Sequence, residues 1–302
     1  MLSILIPTYN YVCVQLVRAL SEQVQRIDGL CYEIIVADDG STSGAVIAEN
    51  RAINNLPCAR YWELGENVGR SAVRNRLFEQ SRGEYLLFLD CDGVPASDAF
   101  LARYVEYIKK GVKGVVCGSI VHPELLPSPA VSLRWSYEKR AEKTMTAEWR
   151  NQNTYTNFRS FNFLIDRESF AKVLFNEKIR HYGFEDNLFG RELMQQNIPL
   201  LHIDNLMLNL DIEQNKVFVE KSEEAMRTLA SHYDMLAPLV RISNVVDKLE
   251  RWRISWLFKL CYKMLRPLVL RNLYGAHPSV VLFNLYKAGY LLELLGEKRN
   301  VL

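Results

Sequence analysis

Tyr85-Leu86-Leu87-Phe88-Leu89-Asp90-Cys91-Asp92 is the stretch on which the reading of this chain turns. Five large apolar residues run together without alternation, as in a strand buried on both faces, and such strands belong to parallel sheets. Two carboxylates spaced i, i+2 and Gly93 then end the run abruptly. Working outward, Ser3–Ile6, Glu33–Ala37, Arg60–Leu64 and Val115–Cys117 read as further strands. Leu16, Leu20, Val24 and Ile27 recur at helical spacing between the first two, and Ala72, Val73 and Leu77 do so before Tyr85. Strands alternating with helices imply right-handed βαβ units and an open α/β sheet. Ligands of such sheets bind outside the carboxyl ends of the strands.

Beyond residue 120 the pattern loosens around Pro123, Pro127 and Pro129. Phe161–Ile165 reads as extended, and Arg167–Leu174 and Phe184–Gln196 as helical. The chain has 302 residues, 49% hydrophobic and 24% charged, which excludes a disordered polymer. Its 37 Lys and Arg against 35 Asp and Glu leave a net charge of +2, without the basic excess of a nucleic-acid binder. The six cysteines form no C-x-x-C pair, so no zinc ribbon or redox motif is visible. Neither a leader nor a spanning segment is evident, and a reduced, cytoplasmic location is expected.

A second acidic cluster, Asp38-Asp39-Gly40-Ser41, ends the second strand at the same edge as Asp90 and Asp92. Asp and Gly end strands in any α/β protein because they favour turns. Two clusters on the ligand edge argue for more, since hard carboxylate oxygens suit Mg²⁺ or Mn²⁺ holding a diphosphate. Arg70 and Arg74 lie i, i+4 on one helix face, placed either to reach a diphosphate or to form a solvated basic face.

With those residues in view, the order Ser3–Asn10, Glu33–Thr42, Asn67–Asn75, Leu89–Asp92 and Tyr182-Gly183-Phe184-Glu185-Asp186 resembles family 2 glycosyltransferases of the GT-A fold. The resemblance covers residues 1–120 closely and extends to about 230. It implies a mixed, mostly parallel α/β sheet flanked by helices and an inverting transfer from a nucleotide sugar, UDP-linked if Asp39 accepts from a uracil N–H. It assigns Pro7 and Tyr9 to the base and ribose, and Asn67, Arg70 and Arg74 to the segment closing over the nucleotide. Asp90 is set near the ribose and sugar and Asp92 on Mn²⁺ or Mg²⁺, with Asp90 as a further metal contact. Asp186 becomes the general base, with Glu185 as the alternative base or an acceptor contact, and Asn162 a contact to a sugar hydroxyl. In many relatives a His completes the metal site; here Asn209 aligns with it, while His202 stands seven positions earlier and packs at a strand end. Two rivals remain: a degenerate relative that binds nucleotide or partners without turnover, and a nucleotidyltransferase. Pro7-Thr8-Tyr9-Asn10 lacks the latter's Gly-rich basic loop.

Trp135, Tyr137, Trp149, Tyr155 and Phe158 offer faces for sugar rings, although large aromatics also build cores. The expected organisation is a glycosyltransferase domain over 1–240, with a nucleotide-binding half (1–120) and an acceptor-side half (121–240), and a basic amphipathic helical extension over 241–302. From Ser243 onward ten Lys and Arg face four Asp and Glu, leaving residues 1–242 at −4. On a helix, Arg251, Lys259, Lys263 and Arg266 form a basic stripe beside an apolar one of Leu257, Leu260, Met264 and Leu268. Three partners suit such a tail: an anionic membrane surface along 248–271, a second subunit, or the catalytic domain. Together with the resemblance this suggests synthesis of a cell-surface polysaccharide or glycolipid, with the protein peripheral on the inner face of the plasma membrane.

Overall fold

The structure, a computed structural model, describes residues 1–143 and 145–301, with side chains through 298. It divides into two compact units, Met1–His122 with Thr144–Arg180 and Phe189–Asp211, and Pro123–Lys143 with His181–Leu188 and Ile212–Leu302.

The first unit is built on one eight-stranded sheet. Its strands are β1 (Leu2–Thr8), β2 (Tyr32–Asp38), β3 (Ala59–Glu63), β4 (Tyr85–Leu89), β5 (Gly93–Pro95), β6 (Val115–Val121), β7 (Asn162–Asp166) and β8 (Leu200–Asn209). The spatial order is β3-β2-β1-β4-β7-β6-β8-β5. β1 pairs in parallel with β2 and β4, β2 with β3, and β6 with β8; β7 runs antiparallel to β4 and β6, and β5 to β8. The sheet is therefore mixed and mostly parallel, as expected. The chain steps outward from β1 to β3 and then returns to the other side of β1 with β4, which creates a switch point where a crevice opens at the carboxyl ends.

Helices α1 (Val14–Gln25), α2 (Gly44–Asn50), α3 (Arg70–Gln80) and α4 (Phe100–Lys109) connect the first strands. Leu2, Ile4, Ile6, Leu87 and Leu89 bury one face of the sheet against Leu16, Leu20 and Val24 of α1 and Phe100 and Tyr104 of α4. Their neighbours Leu5, Leu86 and Phe88 bury the other face against Val73 and Leu77 of α3. Alternate side chains of one strand thus enter two different cores, which is why the β4 run shows no polar alternation. Phe88 stacks on Phe163 at 5.0 Å and on Phe170 at 4.9 Å. Two strands escaped the strand pattern: β5 has three residues, and β8 mixes polar and apolar side chains within a pattern of partial burial.

The remaining helices are α5 (Ser132–Glu142), α6 (Ala147–Gln152), α7 (Arg167–Val173), α8 (Glu185–Gln195), α9 (Asn215–Ser231), α10 (Tyr233–Leu236), α11 (Arg241–Arg251), α12 (Ser255–Leu273) and α13 (Val280–Val301). The second unit has its own core, in which Leu133 of α5 and Val219 of α9 meet Tyr262, Leu273, Phe283 and Tyr286. The helices beyond residue 240 share this core with α5 and α9. Arg266 leaves the expected basic stripe. It turns inward over Tyr262 and Tyr290 and approaches Glu223 at 3.7 Å and Glu293 at 3.8 Å.

Candidate functional site

The parallel pairing of β1, β2 and β4 brings Pro7 and Tyr9, Asp38 and Asp39, and Asp90 to one edge. Tyr9 is 48% exposed there. The acidic groups behind it are held by named partners. Asp38 accepts the Ser41 N–H at 2.6 Å and the Tyr61 hydroxyl. Asp39 accepts the Val68 N–H at 2.7 Å and the Gly69 N–H at 3.1 Å, immediately ahead of α3. Burial raises the Asp39 carboxyl against the opposing pull of those two N–H groups. Gly40 makes this approach feasible, since its φ is +73° and a Cβ would lie 2.4 Å from the Glu66 carbonyl carbon. The segment carrying Asn67 and Arg70, both exposed, is thereby clamped to the end of β2.

Arg74 does not share the exposure of Arg70. It is 2% exposed, donates to Asp90 Oδ1 at 2.7 Å and to the Arg70 carbonyl at 3.2 Å, and lies 5.3 Å over the Phe175 ring. The expected pair of diphosphate-binding arginines thus divides: Arg70 stays outside, and Arg74 becomes a buried post that orients Asp90. Its Nε is buried without a hydrogen-bond partner among the described residues.

Asp92 sits where β5 meets the end of β8. Asn209, 0% exposed, donates through Nδ2 to Asp92 Oδ2 at 3.3 Å, while its Oδ1 accepts the Asp211 N–H at 2.9 Å. In that orientation the amide oxygen accepts the Asp211 N–H, and the nitrogen, which cannot ligate a cation, faces the carboxylate. Asp92 and Asp90 are hard carboxylate donors at this edge. Among the described residues no three His, Cys, Asp or Glu gather closely enough to hold a metal ion by themselves. Two carboxylates suit a Mg²⁺ or Mn²⁺ ion that takes its other oxygens from a diphosphate.

Sequence reasoning passed over Tyr11 and Asp211. The Tyr11 hydroxyl is pushed up to about 12 by burial and then by the charges of Asp211 and Asp92, which places all three groups in one electrostatic neighbourhood. The signal was available: Asp211 follows Asn209 by two residues, and Tyr11 follows Tyr9 by two. Cys91 packs against the core, and burial followed by the Asp92 charge raises its thiol well above the ordinary value, so it is no thiolate nucleophile.

Asn162 departs from its expected role. Its Oδ1 accepts the Tyr104 hydroxyl at 2.6 Å, and its Nδ2 donates to the Asn205 carbonyl at 2.9 Å and the Ser119 carbonyl at 3.4 Å. At 2% exposure, with both ends of the amide engaged, it braces β7 against β6 and β8 and has no room for a sugar. The aromatic residues mostly build structure as well. Phe158 is fully buried, the Tyr155 hydroxyl donates to the Ile198 carbonyl, and the Trp135 ring nitrogen donates to the Pro123 carbonyl. His202 is a packing residue, as expected. Its Nδ1 accepts from Arg150 at 2.9 Å and its Nε2 donates to the Thr154 carbonyl at 2.8 Å.

In the second unit, Glu185 and Asp186 open α8, where the helix dipole favours negative charge. The turn before them is fastened to α9: the Tyr182 N–H donates to Glu224 at 3.2 Å, and the Thr228 hydroxyl donates to the Tyr182 carbonyl at 3.0 Å. Gly183 is required at this turn. Its φ is +108°, and a Cβ would stand 2.9 Å from that of Ala225. Asp186 Oδ1 is buried with no hydrogen-bond partner among the described residues. Such an oxygen costs free energy and marks a place where a ligand hydroxyl can supply the missing donor.

The family model for glycosyl transferase family 2 matches residues 3–174, more than half of the chain. The chain is 26% identical over 221 residues to a dolichyl-phosphate beta-glucosyltransferase of Dictyostelium discoideum and 25% identical over 244 residues to a chondroitin synthase of Escherichia coli. These matches cover 70% and 68% of the chain but 60% and 34% of the relatives, so the chain spans less than two thirds of either. Among solved structures, the mannosyltransferase PcManGT of Pyrobaculum calidifontis, with GDP-Man and Mn²⁺, covers 99% of this chain and 86% of its own at TM-score 0.58 and 13% identity. Glucosyl-3-phosphoglycerate synthase of Mycobacterium tuberculosis, with Mn²⁺, UDP and glucosyl-3-phosphoglycerate, covers 76% and 79% at TM-score 0.51 and 16% identity. At such identities the likeness concerns the fold.

Proposed function

The chain belongs to glycosyl transferase family 2, and from that membership we propose that it moves a sugar from a UDP-sugar to a hydroxyl of a saccharide or lipid-linked saccharide, with inversion at the anomeric carbon. The observation that carries the reading is the pair of carboxylates at the carboxyl end of β4, Asp90 oriented by Arg74 and Asp92 by Asn209. Pro7 and Tyr9 flank the base and ribose, and the clamp from Asp39 to Val68 and Gly69 positions Asn67 and Arg70 over the nucleotide. Asp92 and Asp90 would hold a Mn²⁺ or Mg²⁺ ion, which would supply a Lewis acid for the leaving diphosphate. Asp186 takes the acceptor proton as the acceptor oxygen bonds to the anomeric carbon and the bond to the diphosphate breaks. Glu185 serves as the alternative base or holds the acceptor. The names of the curated relatives support a lipid-linked or glycan acceptor, and we place the reaction in cell-surface polysaccharide or glycolipid synthesis on the cytoplasmic side.

The test is nucleoside diphosphate release from a panel of UDP- and GDP-sugars with Mn²⁺, Mg²⁺ or EDTA. Turnover confined to a UDP-sugar and abolished by EDTA is expected. Turnover indifferent to EDTA and to Asp92→Ala would overturn the metal-assisted reading. Nucleotide binding without turnover on any donor would favour a binding protein descended from the same fold, the reading that the orientation of Asn209 favours.

A further inference from the structure

α12 presents two apolar faces where a helix packed on one core needs a single one. Tyr262 and Leu273 face the core of the second unit. On the opposite side Leu257, Leu260, Met264 and Leu268 recur at helical spacing and are all exposed, Met264 by 71% and Leu268 by 65%. At the corner ahead of this helix, Arg253 adopts φ +57° and the Ile254 N–H closes on the Leu249 carbonyl, ending α11 in a Schellman turn. Trp252 and Trp256 stand on either side of the corner, each 65% exposed. A contiguous apolar patch of this kind marks an interaction surface.

The rim of the patch decides its occupant. Lys248, Arg251, Arg253, Lys263 and Arg271 are exposed and Lys259 is half-buried, against Glu250 in the same stretch and Glu293 of α13, which lies 3.6 Å from Lys263. A second copy of the chain laid on the same stripe about a two-fold axis would bring one cationic rim against another. An anionic bilayer complements it: the apolar stripe and the two indoles enter the headgroup boundary while the cations meet lipid phosphates. No described helix is long and apolar enough to cross a membrane, so the contact is with its surface.

We propose that the outward face of α12, with Trp252 and Trp256, docks the protein on anionic lipid bilayers. This inference stands independently of the glycosyl-transfer reading.

The full chain is titrated with vesicles of 30% phosphatidylglycerol in phosphatidylcholine and with pure phosphatidylcholine, following tryptophan emission and co-sedimentation. Binding to the anionic vesicles with a blue shift is expected, weakened by salt and absent on neutral vesicles. Leu260→Glu/Met264→Glu/Leu268→Glu removes it, and because these side chains are exposed the variant keeps its fold and thermal midpoint. Lys248→Glu/Arg251→Glu/Arg271→Glu weakens it on the order of 10²-fold, at about 1 kcal/mol per basic residue. Trp252→Phe/Trp256→Phe abolishes the blue shift. Equal binding to neutral vesicles, no binding at all, or binding that survives the triple-glutamate variant would overturn the proposal. So would a dimer in light scattering that this variant turns into monomer, because the stripe would then belong to a second copy.

Discussion

The carboxyl edge of the sheet and the outward face of α12 both meet solvent, yet they are prepared in opposite ways. At the sheet edge each key carboxylate already has a protein partner: Asp38 has Ser41 and Tyr61, Asp39 has Val68 and Gly69, Asp90 has Arg74, and Asp92 has Asn209. Side chains fixed before the ligand arrives lose little entropy on binding, and a charge held in place can be aimed. Along α12 the exposed apolar side chains are Leu, Met and Trp, flanked by the exposed cations Lys263 and Arg271. A surface made of such groups suits a fluid, nondirectional partner. The carboxylate edge and the outward face of α12 should therefore fail separately under mutation.

The sharpest break is Asp92→Ala, which removes the carboxylate that is not tied to a buried arginine. Transfer should fall on the order of 10³-fold, because several kcal/mol of leaving-group stabilisation goes with it. Steady-state UDP release with and without Mn²⁺ checks this, and vesicle binding by the same variant should stay unchanged. Asp186→Asn tests the second unit's share of the chemistry. Donor binding measured by calorimetry should persist while transfer drops roughly 10²-fold or more, since Asn cannot take the acceptor proton. Unchanged transfer would move the base to Glu185.

These two variants also mark what was legible in the sequence. Strand-end carboxylates announce themselves locally: an unbroken apolar run followed by Asp90 and Asp92 fixes both the strand and the edge. The opening of α8 was legible for the same reason, with Tyr182–Asp186 adjacent in the chain. The direction in which a side chain points was not legible. Arg70 and Arg74 share a helix face by spacing, yet the carboxylate of Asp90 and the ring of Phe175 draw one of them inside. Asn162 and Asn209 carry amides that suit a ligand as well as a neighbour, and only the packing of β7 and β8 assigns them to neighbours. Likewise Arg266 fell into a surface stripe by periodicity, while Glu223 and Glu293, distant in sequence, turned it inward.

A pH titration separates the two regions again. Burial, followed by the nearby Arg150 guanidinium, lowers His202 from its ordinary 6.5 to about 4. The folded protein therefore keeps this ring neutral at pH values where the unfolded chain protonates it. The stability it contributes is complete above pH 6.5 and is lost as pH falls through about 4, by about 3 kcal/mol in full. Urea midpoints at pH 7.5, 6 and 5 should decline accordingly, and His202→Gln should flatten that decline. Because His202 braces β8 through Arg150 and Thr154, the loss should appear in unfolding of the first unit. Vesicle binding at pH 5 should hold, since His202 lies in the first unit and α12 in the second.

The smallest effect is the most discriminating for the helical face. Met264→Gln replaces an apolar side chain that is already largely in water, so little burial is forfeited and the thermal midpoint should move by no more than about 0.5 kcal/mol equivalent. Glutamine is also a good helix former, which leaves the backbone preference of α12 intact. A residue whose polar replacement costs nothing in the isolated protein is not part of its core, however apolar its surroundings in sequence. If unfolding instead shifted by more than about 2 kcal/mol, Met264 would be covered in solution by protein, and α12 would belong with the buried core that Tyr262 and Leu273 already define.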